Sequence, residues 1–201
     1  MATQASAADL YAALHRIDGK AEIVAGKIVL MSPTGDLPSR AAAAIYRGLW
    51  DYERRTRSGR AYADNTGFLV DLPHRKSFSP DASFYIGPPT GPKFLQGAPI
   101  FAAEVRSEDD YGPVALEAMA AKRADYFAAG TQVVWDVDVL REGLIRIYHA
   151  AAQEAPTVYR RSASRKTRSQ TRGRSPASVA TCTLPPRSSW PTPICFYPRA
   201  P

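Results

Sequence analysis

Acidic residues are missing from one end of this 201-residue chain. Residues 160–201 hold nine Arg or Lys and no Asp or Glu, so the formal charge of +7 divides into +9 there and −2 over residues 1–159. Basic character therefore belongs to one segment and not to the chain as a whole. Cysteine is scarce as well. Cys182 and Cys195 both fall in that segment with no histidine near them, which excludes a zinc-ligand spacing and a disulfide framework. No apolar run approaches the roughly 18–20 residues that a membrane helix needs, and the N-terminus lacks a basic stretch followed by an apolar core of signal-peptide type. A cytoplasmic protein is the expectation. The 45% hydrophobic content is that of an ordinary globular protein, and the length suits one well-cored domain, expected over residues 1–159.

The residues that are present mark out a clear order of elements. Ser6 caps a helix that Leu10, Leu14 and Ile17 carry to Asp18-Gly19. AEIVAGKIVLM reads as a hairpin turning at Ala25-Gly26. Asp36 or Ser39 opens a long helix, with Ala41, Ala44, Ile45, Leu49 and Tyr52 near a 3.6-residue period, ending by Gly59. Three β-runs follow: Arg60 to Leu72 with a bend at Asn65 and Gly67, SFSPDASFYI, and IFAAEV at 100–105, with GPPTGPKFLQGAP as a loop before the last. Pro113 to Ala129 is helical and stops at Gly130. TQVVWDVDV has the continuous apolar character of a central strand, and REG turns the chain into the strand LIRIYH.

Residues 160–201 break this pattern. RRSASRKTRSQTRGRSPAS has no period and almost no apolar residue, and the segment holds seven of the chain's 17 prolines. Disorder is expected there. Two origins remain open: a basic arm for nucleic acid, or the Arg/Ser/Pro/Thr mixture that GC-rich coding DNA yields out of frame.

The chemistry concentrates in a few charged residues at strand ends. Asp81 alternates with Ser79, Ser83 and Tyr85, while Ala82, Phe84 and Ile86 take the opposite face. Glu104 and Arg106 share a face at the end of the next strand. Two carboxylates on neighbouring strands repel each other unless a cation lies between them or one takes up a proton. Mg²⁺ meets that need, because it binds through one or two carboxylates, keeps waters and draws in phosphate oxygens. Lys122, on the helix after Glu104 with Tyr126 four residues on, completes a set that could stabilise charge in phosphodiester hydrolysis. The other reading of each residue is a solvated surface charge.

Taken in order, EIVAGKIVLMSP, SPDASF, AAEVRS and KRADYFAAGTQVVWDVD resemble the Uma-type family of putative restriction endonucleases, a former domain of unknown function, over about residues 9–150. The resemblance implies an α/β, restriction-endonuclease-like fold of the PD-(D/E)XK type: a mixed sheet flanked by helices, here after an N-terminal helix and a hairpin. It also implies that Pro80-Asp81 is the PD element and Glu104 the (D/E) element, both metal ligands. The lysine usual two places after the second acid is Arg106 here, and the family's lysine on the following helix matches Lys122. Glu22 matches an acid of the first hairpin that approaches the metal; a surface role is the alternative. The chain departs from the family where Asp36-Leu37-Pro38-Ser39 lacks a histidine, where Ser107-Glu108-Asp109 replaces Ser-Pro-Ser, and where the basic tail replaces an apolar, acidic end.

The resemblance thus implies a Mg²⁺-dependent endonuclease, with Mn²⁺ as a substitute, that hydrolyses DNA phosphodiesters using Asp81, Glu104, Lys122 and Glu22. The competing reading is a non-catalytic nucleic-acid-binding or assembly module on the same fold. The near-neutral core is an argument against tight DNA binding, although Arg54, Arg55, Arg57 and Arg60 are basic candidates. A homodimer is expected by analogy with nucleases that cut both strands. Lys122→Ala is expected to abolish cleavage with little change in melting temperature. Truncation after Tyr159 is expected to preserve a cooperative melting transition by circular dichroism; its loss would mean that the tail packs on the core.

Overall fold

Ala25 and Gly26 adopt left-handed φ values of 49° and 72°, as a two-residue type I′ turn requires, and join β1 (Ala21–Val24) to β2 (Lys27–Leu30). The computed structural model describes residues 6–160. The expectations for the tail beyond Arg160 fall outside the described residues. Ahead of the hairpin, α1 (Ala7–Leu14) starts at a capping box in which Ser6 Oγ accepts from Asp9 N–H and Asp9 accepts from Ser6 N–H. It is shorter than the apolar stripe suggests. Arg16 and Ile17 donate to the carbonyls three residues back, which tightens the end into a 3₁₀ turn. Leu10, Leu14 and Ile17 still pack on Ala21 and Ile23.

Helix α2 (Asp36–Thr56) leads into β3 (Arg60–Ala63), and α3 (Pro113–Ala128) links β8 (Phe101–Val105) to β9 (Val133–Asp138). The main sheet has six strands in the order β11-β10-β9-β8-β6-β3, where β6 is Ala82–Tyr85, β10 is Leu144–His149 and β11 is Ala152–Arg160. Strands β8 and β9 run parallel and the other neighbours antiparallel. A parallel pair needs a crossover connection, and α3 supplies it. A second, three-stranded sheet consists of β5 (Ser77–Phe78), β4 (Phe68–Leu69) and β7 (Leu95–Gln96).

Three further sequence expectations change in the structure. The Arg60–Leu72 run divides into β3 and β4 because Asn65 turns the backbone left-handed, at φ 63°. SFSPDASFYI divides at Pro80, which has no N–H for a ladder. The stretch read as a loop contains β7, whose Leu95 is buried among Phe68, Phe78 and Tyr85. Strand β11 was not expected at all. It is almost wholly exposed and has no apolar alternation, and as an edge strand it tolerates Pro156.

The two faces of the main sheet bury different partners. On one face, Ala41, Ala42, Ile45 and Leu49 of α2 pack against Phe84, Phe101, Trp135 and Val137. On the other, Tyr126 and Phe127 of α3 and the side chains of the small sheet pack against Tyr85, Ala102, Val134 and Tyr148. Since side chains alternate along a strand, the α3 side is also the side of Ser83, Glu104, Arg106 and Asp136. This layer arrangement delivers the polar residues to one surface of the sheet.

The α2 face gives a direct check on the packing. Ile45 is fully buried and Trp50, on the same helix, is 43% exposed. Ile45→Ala should therefore cost about 2–5 kcal/mol in denaturant unfolding, whereas Trp50→Ala should stay within about 0.5 kcal/mol of wild type.

Candidate active site

Asp81 lies just before β6 and is buried, with each oxygen engaged. Oδ2 accepts the backbone N–H of Val105 at 2.7 Å, and Oδ1 accepts from Lys20 Nζ at 2.5 Å. The first bond ties Asp81 to the end of β8, where Glu104 is the preceding residue. Glu104 in turn accepts from Lys122 Nζ at 2.9 Å and from the Tyr126 hydroxyl at 2.7 Å. Lys122 and Tyr126 are one turn apart on α3 and so lie on one face of the helix. Tyr126 is held by stacking on Phe78 of the small sheet, with ring centroids 4.0 Å apart.

The hairpin contributes Glu22 to the same place. Lys122 Nζ is 2.9 Å from Glu22 Oε1, so a single ammonium bridges Glu22 and Glu104. Glu22 Oε1 also accepts the Ser79 N–H at 2.8 Å, and Oε2 accepts from Arg75 Nη1 at 2.6 Å. Backbone contacts hold the hairpin in place: Ile23 N–H donates to Ser77 Oγ at 2.7 Å, and Lys76 N–H to the Ile23 carbonyl at 3.0 Å. Behind Glu22, Arg75 Nε donates to Asp125 at 2.7 Å, and Asp125 meets His74 at 2.6 Å.

Asp81, Glu104, Lys122 and Glu22 therefore converge in the folded chain, and the surface reading of Glu22 fails because the residue is 2% exposed. Arg106 goes elsewhere. It grips both oxygens of Asp136 through Nε at 2.7 Å and Nη2 at 2.6 Å, so it does not replace a lysine beside Glu104. Arg54, Arg55 and Arg57 are exposed at the end of α2, and Arg60 donates to the Gly87 carbonyl. Sequence reasoning missed Lys20, which also reaches Asp64 at 2.7 Å, together with Arg75 and Asp125. Lys20 and Arg75 flank short strands with no periodic signal. Only their tertiary partners distinguish them from surface cations.

Burial and charge push the two glutamates in opposite directions. Burial raises the Glu104 carboxyl, and the neighbouring Asp81 and Glu22 charges add to the rise, more than Lys122 takes away. Burial would raise Glu22 too, but Lys122 and Arg75 outweigh it and hold the carboxyl below its usual range. Lys122 rises: burial works against its charge, and Glu104 and Glu22 overcome that. Tyr126 is pushed well above its ordinary value by burial and then by the two carboxylates, so it stays a hydrogen-bond donor.

Among the described residues, no group of three or more His, Cys, Asp or Glu is placed to hold a metal ion by itself. The donor set suits a different mode of binding. Asp81 and Glu104 offer hard carboxylate oxygens with lone pairs beyond those spent on Val105, Tyr126 and the lysines. Mg²⁺ requires only one or two carboxylates when waters fill the remaining positions.

The shared ammonium predicts a pH-dependent stability, and it corrects the expectation that Lys122→Ala would leave melting unchanged. Without Lys122, buried Glu22 and half-buried Glu104 face each other with one cation fewer, a loss on the order of 3 kcal/mol at neutral pH. Glu104, whose pKa is already raised on folding, would rise further, and a raised carboxyl costs stability above its folded pKa and regains it as pH falls. Thermal melts of Lys122→Ala should therefore lie well below wild type near pH 8, and the gap should narrow toward pH 5.

No curated protein matches this chain closely enough to count as a relative. Among solved structures it is similar to a putative nuclease belonging to DUF820 from Anabaena variabilis ATCC 29413. The identity is 17%, the TM-score is 0.58, and the match covers 74% of this chain and 82% of that one. At that identity the likeness shows the fold: a mixed sheet flanked by helices. The model of the Uma2 family, described as "Putative restriction endonuclease", matches residues 8–183. By that match, which spans most of its length, the chain belongs to the Uma2 family of putative restriction endonucleases.

Proposed function

We propose that the chain is a divalent-metal-dependent nuclease that hydrolyses phosphodiester bonds of DNA. The observation that carries this reading is the Lys122 ammonium, held 2.9 Å from both Glu104 and Glu22 on the sheet face where Asp81 is anchored to the next residue of β8. Membership in a family described as "Putative restriction endonuclease" supports the reaction class.

In this reading Asp81 and Glu104 would hold a Mg²⁺ or Mn²⁺ ion. When bound, such an ion supplies an activated water and offsets charge on the phosphate. The chain's own residues prepare the rest. The Val105 N–H fixes the rotation of Asp81, and the Tyr126 hydroxyl fixes Glu104. Glu22, itself held by Arg75 and the Ser79 N–H, aims Lys122 across the site, where its ammonium can stabilise negative charge developing on the phosphoryl oxygens. Lys20 Nζ spans Asp81 and Asp64, so it competes with a cation for Asp81 and would keep Asp64 as a partner if it yielded Asp81.

The test is incubation of the purified protein with supercoiled plasmid and Mg²⁺, alongside Asp81→Ala and Glu104→Gln. Wild type should yield nicked and linear DNA, a chelator should stop the reaction, and each variant should lose activity by about 100-fold or more. Equal cutting by wild type and Asp81→Ala would overturn the assignment. DNA binding without cutting by wild type would favour the non-catalytic module.

Calorimetry isolates the metal. Mn²⁺ binding should disappear in the Asp81→Ala, Glu104→Ala double variant, and it should tighten in Lys20→Met, which removes a competing cation. Undiminished binding in the double variant would place the ion elsewhere.

A further inference from the structure

A cleft of about 440 Å³ opens beyond the carboxylates, between α3 and the β9–β10 end of the sheet. Its walls continue those of the site just described. Arg106 is two residues past Glu104 on the same strand face, and Arg123 follows Lys122 on α3. Four guanidiniums line it, from Arg106, Arg123, Arg141 and Arg146, against the two carboxylates of Asp136 and Glu142.

The four are held in different ways. Arg106 is neutralised by its two bonds to Asp136. Arg146 gives Nη2 to both oxygens of Glu142 at 3.0 Å, while its Nη1 is buried and has no partner among the described residues. Arg123 lies over the Tyr148 ring at 3.8 Å and Arg141 over the Tyr111 ring at 3.9 Å. Neither makes a side-chain hydrogen bond among the described residues. Stacking fixes the planes of these two guanidiniums and leaves their N–H edges unspent. Tyr111 is itself anchored, since its hydroxyl donates to Asp138 at 2.7 Å and burial, reinforced by that bond, pushes it up to about 12.

Planar guanidinium edges with fixed orientation match the oxygens of a phosphate, which accepts two parallel N–H bonds from one arginine. An ordinary Arg–Tyr surface stack would not surround a cleft with a net excess of cation. We propose that this cleft binds a backbone phosphate of the nucleic-acid strand next to the one at the carboxylates, with Arg123 and Arg141 as its contacts. This inference rests on the nuclease reading and adds to it a docking track that the near-neutral charge of residues 1–159 conceals.

The experiment measures binding of a fluorescein-labelled single-stranded DNA oligonucleotide by anisotropy, in chelator so that nothing is cut, across a salt series. The proteins are wild type, Arg141→Ala and Arg123→Ala/Arg141→Ala. Arg141 is exposed, so its single variant should keep the wild-type melting temperature. The double variant should bind at least about tenfold more weakly, and its slope of log affinity against log salt should be shallower by about 0.7, the value for one lost phosphate contact on a single strand. The single variant should show about half that change in slope. Unchanged affinity and slope in both variants, or no oligonucleotide binding by wild type, would overturn the proposal. Plasmid cutting separates the two ideas: a wild type that cuts, with variants that bind undiminished, strikes the cleft alone. A wild type that binds through these arginines but cuts nothing strikes the nuclease reading alone.

Discussion

Three carboxylates are brought together on one buried sheet face, and the rest of the site follows from the need to compensate them. Glu22, Asp81 and Glu104 come from a hairpin, the loop before β6 and the end of β8. Removing carboxylates from water is costly unless each meets an opposite charge or a hydrogen-bond donor. Lys122 answers two of them with one ammonium, Lys20 answers the third, and Arg75 takes the remaining oxygen of Glu22. The same compensation makes the cluster sensitive to any change in its cations, whether a lysine is removed or a metal ion added.

The fold serves this cluster by dividing its labour between the two sheet faces. The α2 side carries much of the apolar packing, with Ile45, Phe84, Phe101 and Trp135 at its centre. The other side can then afford charge near its strand ends. The small sheet is part of this arrangement: Phe78 stacks on Tyr126, and Ser77 and Lys76 hold the hairpin that brings in Glu22. A two-residue strand contributes little stability alone, so its value here lies in positioning.

Arg106 illustrates how a sequence position can mislead about function. It stands two places after Glu104, where the resemblance drawn from the sequence leads to the expectation of a lysine. A guanidinium there reaches the neighbouring strand and meets Asp136, which is paired with Glu104 in the β8–β9 register. The resulting buried pair is part of the lining of the arginine-lined cleft. Lys122 then remains as the ammonium beside Glu104.

Local chemistry alone determined much of this protein. The capping box at Ser6, the I′ turn at Ala25-Gly26, the long amphipathic α2, and the apolar β8 and β9 with the helix between them are all written in short-range patterns of side-chain size, polarity and backbone preference. Asp81, Glu104 and Lys122 were legible because charge at the end of an apolar strand, or on the packing stripe of a helix, contradicts its surroundings. Only the tertiary structure decided that Glu22 is buried, that Arg75 pairs with it and Lys20 with Asp81, that Arg106 turns to Asp136, and that four arginines distant in sequence share one cleft. It also decided β7 and β11, which are too short or too polar to carry a periodic signal. The physical reason is common to these cases: an ion pair between residues 53 or 61 positions apart leaves no trace in local composition, and it forms only when the sheet has brought both partners out of water.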